Sequence, residues 1–421
     1  MKSKKLFVTG ITIFSIVVFL AILIVLWYWG DTYKDFKNDF NTKKTLSGET
    51  LKIPGLNDDA VPQGMANYTT TYTFTDTSGN EQTSKQEYLF ISAYMKEGPS
   101  RLYVTGTDTG YVGYVTLKNE DGTDYLGHAG GVATSCVSGN DKGTLWVVSD
   151  GTVFCAKASS KDYKNIAEEI IAKAKLTEGD KSIKFTASFK ANNKASFCFF
   201  YEDGTSSVTS DKLYVGEFYR PKDDRYSTAE DHHVTAPNGD KHNAFVYEYS
   251  CNSTSEYGLT VLGDSSGVPT ENRVPKIDKI ISIPDKIQGF ALTNSKQLIL
   301  SQSYGLPNSH LYYYDWSEVV KAASTNRTYY KTLMKDTLGK ETNFEYDGVF
   351  RQSGVKYTDP SLYVYFADDS KLLRDYSIPS MSEGLCVNGD KVYVLFESGC
   401  YKYKYFVRQK INEIYYFTPR A

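Results

Sequence analysis

A four-residue segment recurs five times along this chain and constrains its fold more than any other feature. The copies are Gln63-Gly64-Met65-Ala66, Gly130-Gly131-Val132-Ala133, Ala195-Ser196-Phe197-Cys198, Gln288-Gly289-Phe290-Ala291 and Glu383-Gly384-Leu385-Cys386. Each reads polar or small, then Gly or Ser, then apolar, then Ala or Cys. Self-similarity at this spacing marks a repeat architecture, in which one unit cannot bury its hydrophobic face alone.

Each copy is followed by a strongly apolar strand: Leu89–Ser92, Leu145–Val148, Leu213–Gly216, Leu298–Ser301 and Val392–Leu395. A third row reads Leu102–Val104, Val153–Cys155, Phe245–Tyr247, Leu311–Tyr313 and Ile414–Tyr416. A fourth reads Tyr114–Leu117, Ile183–Phe185, Ile280–Ile283 and Asp375–Ile378, and the fifth unit has no residues left for it. Val, Ile, Tyr and Phe punctuated by Gly turns are strand chemistry. Leu51-Lys52-Ile53-Pro54 precedes the first Gln-Gly as Ile283-Pro284 and Ile378-Pro379 precede theirs, so it supplies the missing strand. The expected fold is an all-β propeller of five four-stranded blades over residues 49–418, closed by the amino-terminal strand so that no edge is exposed. Six blades are the alternative, because the spacers Tyr219–Asn243 and Trp316–Ser361 have room for further strands. One helix is expected from about Asp162 to Lys175, on the rim of blade two, with Ile166, Ile170 and Ala174 on one face.

Ahead of the repeats, Leu6–Trp29 runs 24 residues without a charged side chain. As a helix it would cover about 36 Å, against a bilayer core of roughly 30 Å. Lys2, Lys4 and Lys5 precede it, and Trp27, Tyr28 and Trp29 end it, as expected of a span with its amino terminus in the cytoplasm. The expected organisation is a cytoplasmic tip (1–5), a transmembrane signal-anchor helix (6–29), a polar tether (30–48) and an exported ring: a single-pass cell-membrane protein with its carboxy-terminal domain outside. A cleaved secretory signal is the rival, but its apolar region is usually about 7–15 residues and Trp-Tyr-Trp-Gly-Asp is a poor cleavage site. The chain has 47 Lys and Arg against 50 Asp and Glu; residues 1–30 hold three of the lysines and no acid, which leaves 44 against 50 outside. An acidic exported part argues against nucleic acid as a partner.

The glycines at 64, 131, 289 and 384 belong to the strand nearest the axis, where blades crowd and a side chain would collide. The residues before them include Gln63, Gln288 and Glu383, which converge on the channel either to hold a ligand or to bond a neighbouring backbone. The ends of the second strands add Asp150, Glu217, Gln302 and Glu397. If these open on the same face as Glu383, the mouth is acidic and suits a divalent cation such as Ca2+, an amine or a sugar. Paired carboxylates roughly 5–9 Å apart are what glycoside hydrolysis requires. His128, in Gly127-His128-Ala129-Gly130-Gly131, enters blade two beside the channel and is the best single residue for binding or proton transfer. His232 and His233, with Asp231 and His242, could form a metal site, but their spacing matches no metal signature and a loop role is favoured. Phosphate-loop, dinucleotide, His-Glu-x-x-His and Gly-x-Ser-x-Gly motifs are all lacking.

Of the six cysteines, Cys198 and Cys386 fall in the slot filled elsewhere by Ala66, Ala133 and Ala291, as small buried packing residues. A Cys136–Cys155 bridge is open if strand ends bring the two together. Asn67-Tyr-Thr, Asn252-Ser-Thr and Asn326-Arg-Thr match the glycosylation pattern, which matters only in a eukaryotic secretory pathway.

The segments Val-Pro-Gln-Gly-Met-Ala (61–66), Leu117 through Gly131, Leu-Tyr-Val-Gly-Glu-Phe-Tyr (213–219), Ile-Gln-Gly-Phe-Ala (287–291) and Met-Ser-Glu-Gly-Leu (381–385) resemble a group of uncharacterised secreted or membrane-anchored β-propeller proteins of Gram-positive bacteria. The resemblance spans roughly residues 50–418. It implies the fold and carries no established activity, so no site residues transfer from it. Two readings follow. One is a surface-anchored propeller that binds an extracellular small molecule, glycan or protein at the axial face. The other is a propeller hydrolase of a glycan or ester, with His128 and Glu383, Glu217 or Glu397 at an acidic mouth.

Overall fold

The computed structural model describes residues 10, 12–24, 34–135, 142–191, 194–203, 211–228, 232–261, 275–323, 325–329 and 363–420. Five antiparallel blades surround one axis. Blade one is Ala60–Thr75, Glu81–Met95, Arg101–Gly106 and Gly110–Lys118; blade two is Gly131–Thr134, Leu145–Ser149, Thr152–Ala156 and Ala187–Lys190. Blade three is Ala195–Tyr201, Lys212–Glu217, Ala244–Ser250 and Ile277–Ile283; blade four is Ile287–Leu292, Gln297–Gln302, Ser309–Asp315 and Leu372–Ile378. Blade five is Ser382–Asn388, Lys391–Phe396 and Tyr415–Phe417, completed by Asn41–Thr42 from the amino-terminal side.

The ring closes as the repeat requires, with a shift in which residues close it. Asn41 and Thr42 pair with Tyr416 and Tyr415. Leu51–Ile53, the expected closing strand, adds bonds further along the same partner: Ile414 N donates to Leu51 O at 3.0 Å and Ile53 N to Asn412 O at 2.8 Å. One other strand assignment needs correction. Ser182–Lys184 runs parallel to the outer strand of blade one, and the fourth strand of blade two is Ala187–Lys190. The spacers do hold extra strands, Val234–Thr235 with Lys241–His242 in the first and Arg327–Tyr329 in the second, but Arg327–Tyr329 pairs with Tyr363–Phe366 just past its spacer, and that pair extends blade three and makes no sixth blade.

Glycine in the innermost strands is a packing requirement. A Cβ on Gly64 would lie 2.6 Å from Val132 N, on Gly131 2.5 Å from Cys198 N, on Gly289 2.7 Å from Glu383 O and on Gly384 2.7 Å from Met65 N. These neighbours also correct the alignment of blade three. Cys198 meets Gly131 as Val132 meets Gly64, so Ser196 occupies the polar position, Phe197 the glycine position and Cys198 the apolar one. Cys386 keeps the alanine slot. The thiols of Cys155, Cys198, Cys386 and Cys400 are free and buried, so Cys155 forms no bridge; Cys251 is buried too, and Cys136 lies outside the described residues. Asn326 is buried and donates its amide to the Glu318 and Val319 carbonyls, which removes it as a glycan acceptor.

The helix Ile166–Ala174 starts where Asn165 accepts a hydrogen bond from Glu168 N at 3.0 Å, as an N-cap should. Its apolar face packs on the outside of blade one, close enough that a Cβ on Gly113 would lie 2.0 Å from Ala174 O.

Residues 12–24 are helical and leave Phe14, Phe19 and Ile24 exposed, but among the described residues no helix is long and apolar enough to cross a membrane. The expected span, 6–29, falls partly on residues outside those described. The expected tether is not free chain. Its helix Lys34–Asp39 docks on the closure between blades four and five, where Arg374 bonds Asp35 and Asp39 at 2.9 and 2.8 Å. Phe36 and Phe40 are buried there, with Phe36 4.6 Å from the Tyr415 ring and Phe40 4.5 Å from Phe417. Phe36→Ala is expected to cost about 3 kcal/mol, the usual loss for truncating a buried Phe, read as a fall in the urea midpoint of the full chain. An unchanged midpoint would mean that the segment is only draped on the ring.

Candidate functional site

Four of the five innermost strands break register at their first turn, and each break falls on the polar axial residue. The shifts lie between Pro62 and Gly64, Ala195 and Phe197, Ile287 and Gly289, and Ser382 and Leu385. A bulge rotates the inserted residue out of the pleat. Gln63, Ser196, Gln288 and Glu383 thereby reach one open cavity of about 460 Å3 at the axial mouth.

Six of the eight residues singled out in the sequence line this cavity: Gln63, His128, Asp150, Gln288, Glu383 and Glu397. The other two do not. Glu217 is buried inside blade three, where its carboxylate accepts from Phe245 N at 2.8 Å and pairs with His232 Nδ1 at 2.6 Å. Gln302 donates to Asp285 O at 3.0 Å and accepts from Tyr312 OH at 2.9 Å. Both satisfy blade interiors, because a strand-end side chain can turn into the sheet stack as well as toward the axis.

At the floor of the cavity two carboxyls touch. Glu383 is buried and Glu397 half-buried; the two carboxyls hydrogen-bond each other, and Gln63 Nε2 donates to Glu397 Oε2 at 3.0 Å and to Pro62 O at 2.9 Å. Burial, followed by the neighbouring Glu397 charge, holds Glu383 well above the usual carboxyl range. Burial pushes Glu397 up to about 7, against the opposing hydrogen bonds of Gln63 and Glu383 and the charge of Lys402. At neutral pH the pair therefore holds at least one proton, with Glu383 as donor and Glu397 as acceptor.

Lys402 comes from a turn between the second and third strands of blade five and donates to Tyr94 OH at 2.8 Å. The Tyr94 ring stacks on His128, centroids 4.7 Å apart. His128 N donates to Ser149 Oγ at 3.1 Å, and Ser149 Oγ donates to Asp150 Oδ2 at 3.1 Å. Burial keeps His128 below its ordinary value, with Lys402 adding to the effect and Asp150 opposing it, so the imidazole is neutral at pH 7. Asp150 and Met381, both on the cavity wall, have φ of 48° and 66°. Left-handed backbone at non-glycine residues is a local strain that the surrounding structure must support.

The opposite wall is aromatic. Phe218 packs against Tyr226 and Tyr304 at 5.1 and 6.2 Å, and the Arg220 guanidinium covers Tyr304 at 3.9 Å. Lys194, Arg225 and Lys402 bring positive charge to the same cavity as Asp150, Glu383 and Glu397. The mouth is thus mixed in charge, which corrects the expectation of an acidic one. Tyr94, Lys194, Arg225, Tyr226, Tyr304, Lys402 and Tyr403 were not legible in the repeat. Several of them sit in the long spacers between second and third strands, and spacer length was the only signal available.

The geometry also limits the chemistry. Direct contact between Glu383 and Glu397 lacks the roughly 5–9 Å gap in which a glycosidic bond sits between two acids. Among the described residues no group of three or more His, Cys, Asp or Glu could hold a metal ion, so neither the axial cavity nor the histidines of blade three form a divalent-cation centre there. His232 is tied to Glu217, His233 to Thr228 and His242 to Ser282; Asp231 lies outside the described residues.

No family model and no curated protein matches this chain. Among solved structures, a GH43_1 enzyme from Xanthomonas citri is similar over 87% of this chain and 93% of its own, at 9% identity and a TM-score of 0.37. A Thermus thermophilus protein described as a putative oxidoreductase (glucose dehydrogenase) covers 90% of this chain and 98% of its own, at 11% identity and a TM-score of 0.31. A Bacteroides thetaiotaomicron protein of unknown function covers 90% of this chain and 75% of its own, at 9% identity and a TM-score of 0.25. Overlaps this weak say nothing about activity, and the site must be read from its own residues.

Proposed function

We propose that this chain is a surface-anchored, extracytoplasmic β-propeller that binds a small hydroxyl-bearing ligand, such as a sugar unit, at the axial mouth of the ring. The observation that carries the reading is the hydrogen-bonded Glu383–Glu397 pair at the floor of an open cavity of about 460 Å3. A half-protonated carboxyl pair offers one donor and one acceptor side by side, which is what a hydroxyl group needs. The aromatic wall of Phe218, Tyr226 and Tyr304 supplies a face for the apolar side of such a ligand. The anchor rests on the uncharged run 6–29 and on the exposure of Phe14, Phe19 and Ile24.

The test is a thermal-shift screen of the full chain in detergent against monosaccharides, amines and divalent cations. A sugar that raises the midpoint should lose its effect in Glu383→Gln and keep it in His310→Ala, whose site lies on the outer part of blade four. A shift that is equal in both variants would remove the axial site.

One observation favours a second reading, hydrolysis of an ester in the same cavity. A carboxyl group near 7 and a neutral imidazole, His128, line this one cavity and are suited to proton transfer at neutral pH. Release of product from a substrate panel, lost in Glu397→Gln, would separate catalysis from binding.

A further inference from the structure

The ring has a second mouth. The innermost strands run from the Gln63 end to Asn67, Thr134, Glu202 and Asn388, where a larger cavity of about 720 Å3 opens. The two are separate cavities with no lining residue in common, and the second adjoins only a small void of about 20 Å3 lined by Met65, Val132, Phe199 and Cys386. The second cavity lies in the range of volumes that hold ligands, which is roughly 300–1,000 Å3.

Three features of this mouth specify its ligand. First, its charges cancel. Lys43 is tied to Asp108 at 3.1 Å, and Lys85 and Lys391 are matched by Glu87 and Glu202. A phosphate-bearing or cationic ligand would gain no net attraction there. Second, its polar groups suit hydroxyls. The amides of Asn67, Asn294 and Asn388 stand among threonines, and Tyr201 and Tyr393 supply rings. Glu87 is nine-tenths buried at the base of this cavity; its Oε2 accepts from Tyr393 OH at 3.3 Å, and the Asn388 and Thr107 side chains also bond its carboxyl against the upward push of burial. Third, the wall is extended. The first hairpin of blade one has strands of 16 and 15 residues, whereas the first strands of the other blades reach at most 7. Beyond Tyr68 this ribbon stands clear of the ring, with Tyr72 and Phe74 exposed and their rings 6.1 Å apart. A two-stranded ribbon packed on neither face gains little stability for its own fold. Its inner end, Asn67–Thr69 with Lys85 and Glu87, forms one side of the cavity.

We propose that this second mouth, with the overhanging ribbon, is a binding cleft for a neutral oligosaccharide. The chain would lie from the Asn388 and Glu87 end of the cavity out along the ribbon, where Tyr72 and Phe74 offer stacking surfaces. This site does not depend on the axial reading, since no side chain is shared between the two cavities.

The test is titration calorimetry of the full chain in detergent with cellotetraose, maltotetraose and xylotetraose. At least one should bind, and Asn294→Ala, at an exposed position on the cavity wall, should weaken it by about tenfold with no change in melting midpoint. Tyr72→Ala, remote from the ring core, should weaken the tetrasaccharide more than the matching disaccharide. The proposal is overturned if none of the three binds at millimolar concentration, or if binding survives both substitutions.

Discussion

Replacing Glu397 by Gln should make the protein more stable at pH 8 than the native chain and leave it nearly unchanged at pH 5. The folded-state value of Glu397 is raised from 4.5 to about 7, chiefly by burial. A raised carboxyl contributes its stability fully below the unfolded value and loses it as pH rises through the folded one. The native chain should therefore lose stability between about pH 5 and pH 8 on account of this pair, with Glu383, also raised, extending the loss upward. One pKa unit corresponds to about 1.4 kcal/mol, so ionising Glu397 in place costs on the order of 3 kcal/mol. Gln cannot ionise, and its amide oxygen can still accept from Gln63 Nε2, so the cost disappears. Urea midpoints across this pH range provide the check. If native and Glu397→Gln curves run parallel from pH 5 to 8, the pair is not buried in one shared-proton state and the axial reading loses its basis. If they diverge as stated, the protein tolerates a destabilising pair at its mouth, which is the usual mark of a site kept for function.

The architecture was legible because it depends on a constraint that repeats. Where innermost strands touch in four of the five blades, glycine alone fits, so Gly64, Gly131, Gly289 and Gly384 recur and mark those blades. The reading slipped where the constraint is met differently. In blade three Phe197 replaces the glycine, and Ala195-Ser196 imitates the pattern one residue early. In blade two, Ile183-Lys184-Phe185 and Ala187-Ser188-Phe189 alternate equally well, and hydrophobic pattern alone cannot tell which one pairs inward. The site was legible at Gln63, Gln288 and Glu383 because the bulge repeats with the glycine. Asp150 and Glu397 followed from their strand ends, whereas Glu217 at an equivalent place turns inward to Phe245 N and His232. Lys402, Arg225 and Tyr304 come from turns, whose placement depends on local geometry with no period to read.

The exchange in blade three makes a double-substitution experiment decisive. In blades one and four the glycine of the first strand faces a serine of the second: Gly64 pairs with Ser92, and Gly289 with Ser301. Those serines tie adjacent blades, Ser92 Oγ donating to Ala129 O at 2.9 Å and Ser301 Oγ lying 2.8 Å from Ser382 Oγ. In blade three the sizes are swapped, and Phe197 pairs with Gly216. A Cβ on Gly216 would lie 2.0 Å from Phe197 Cζ, and that ring is buried with nowhere to turn. Gly216→Ser should therefore destabilise by about 3 kcal/mol through overpacking. Phe197→Gly should cost at least as much, about 3–5 kcal/mol, through the cavity left by the ring. The double variant restores the pairing that blades one and four already use, and each change relieves the other. It should be less destabilised than the sum of the two by about 2 kcal/mol or more, which is within the range for residues in direct contact. Urea unfolding of the four proteins, with unchanged m-values, measures the coupling. Strict additivity would mean that Phe197 and Gly216 do not share one volume, and it would undo both the corrected register of blade three and the assignment of Ser196 to the axial mouth.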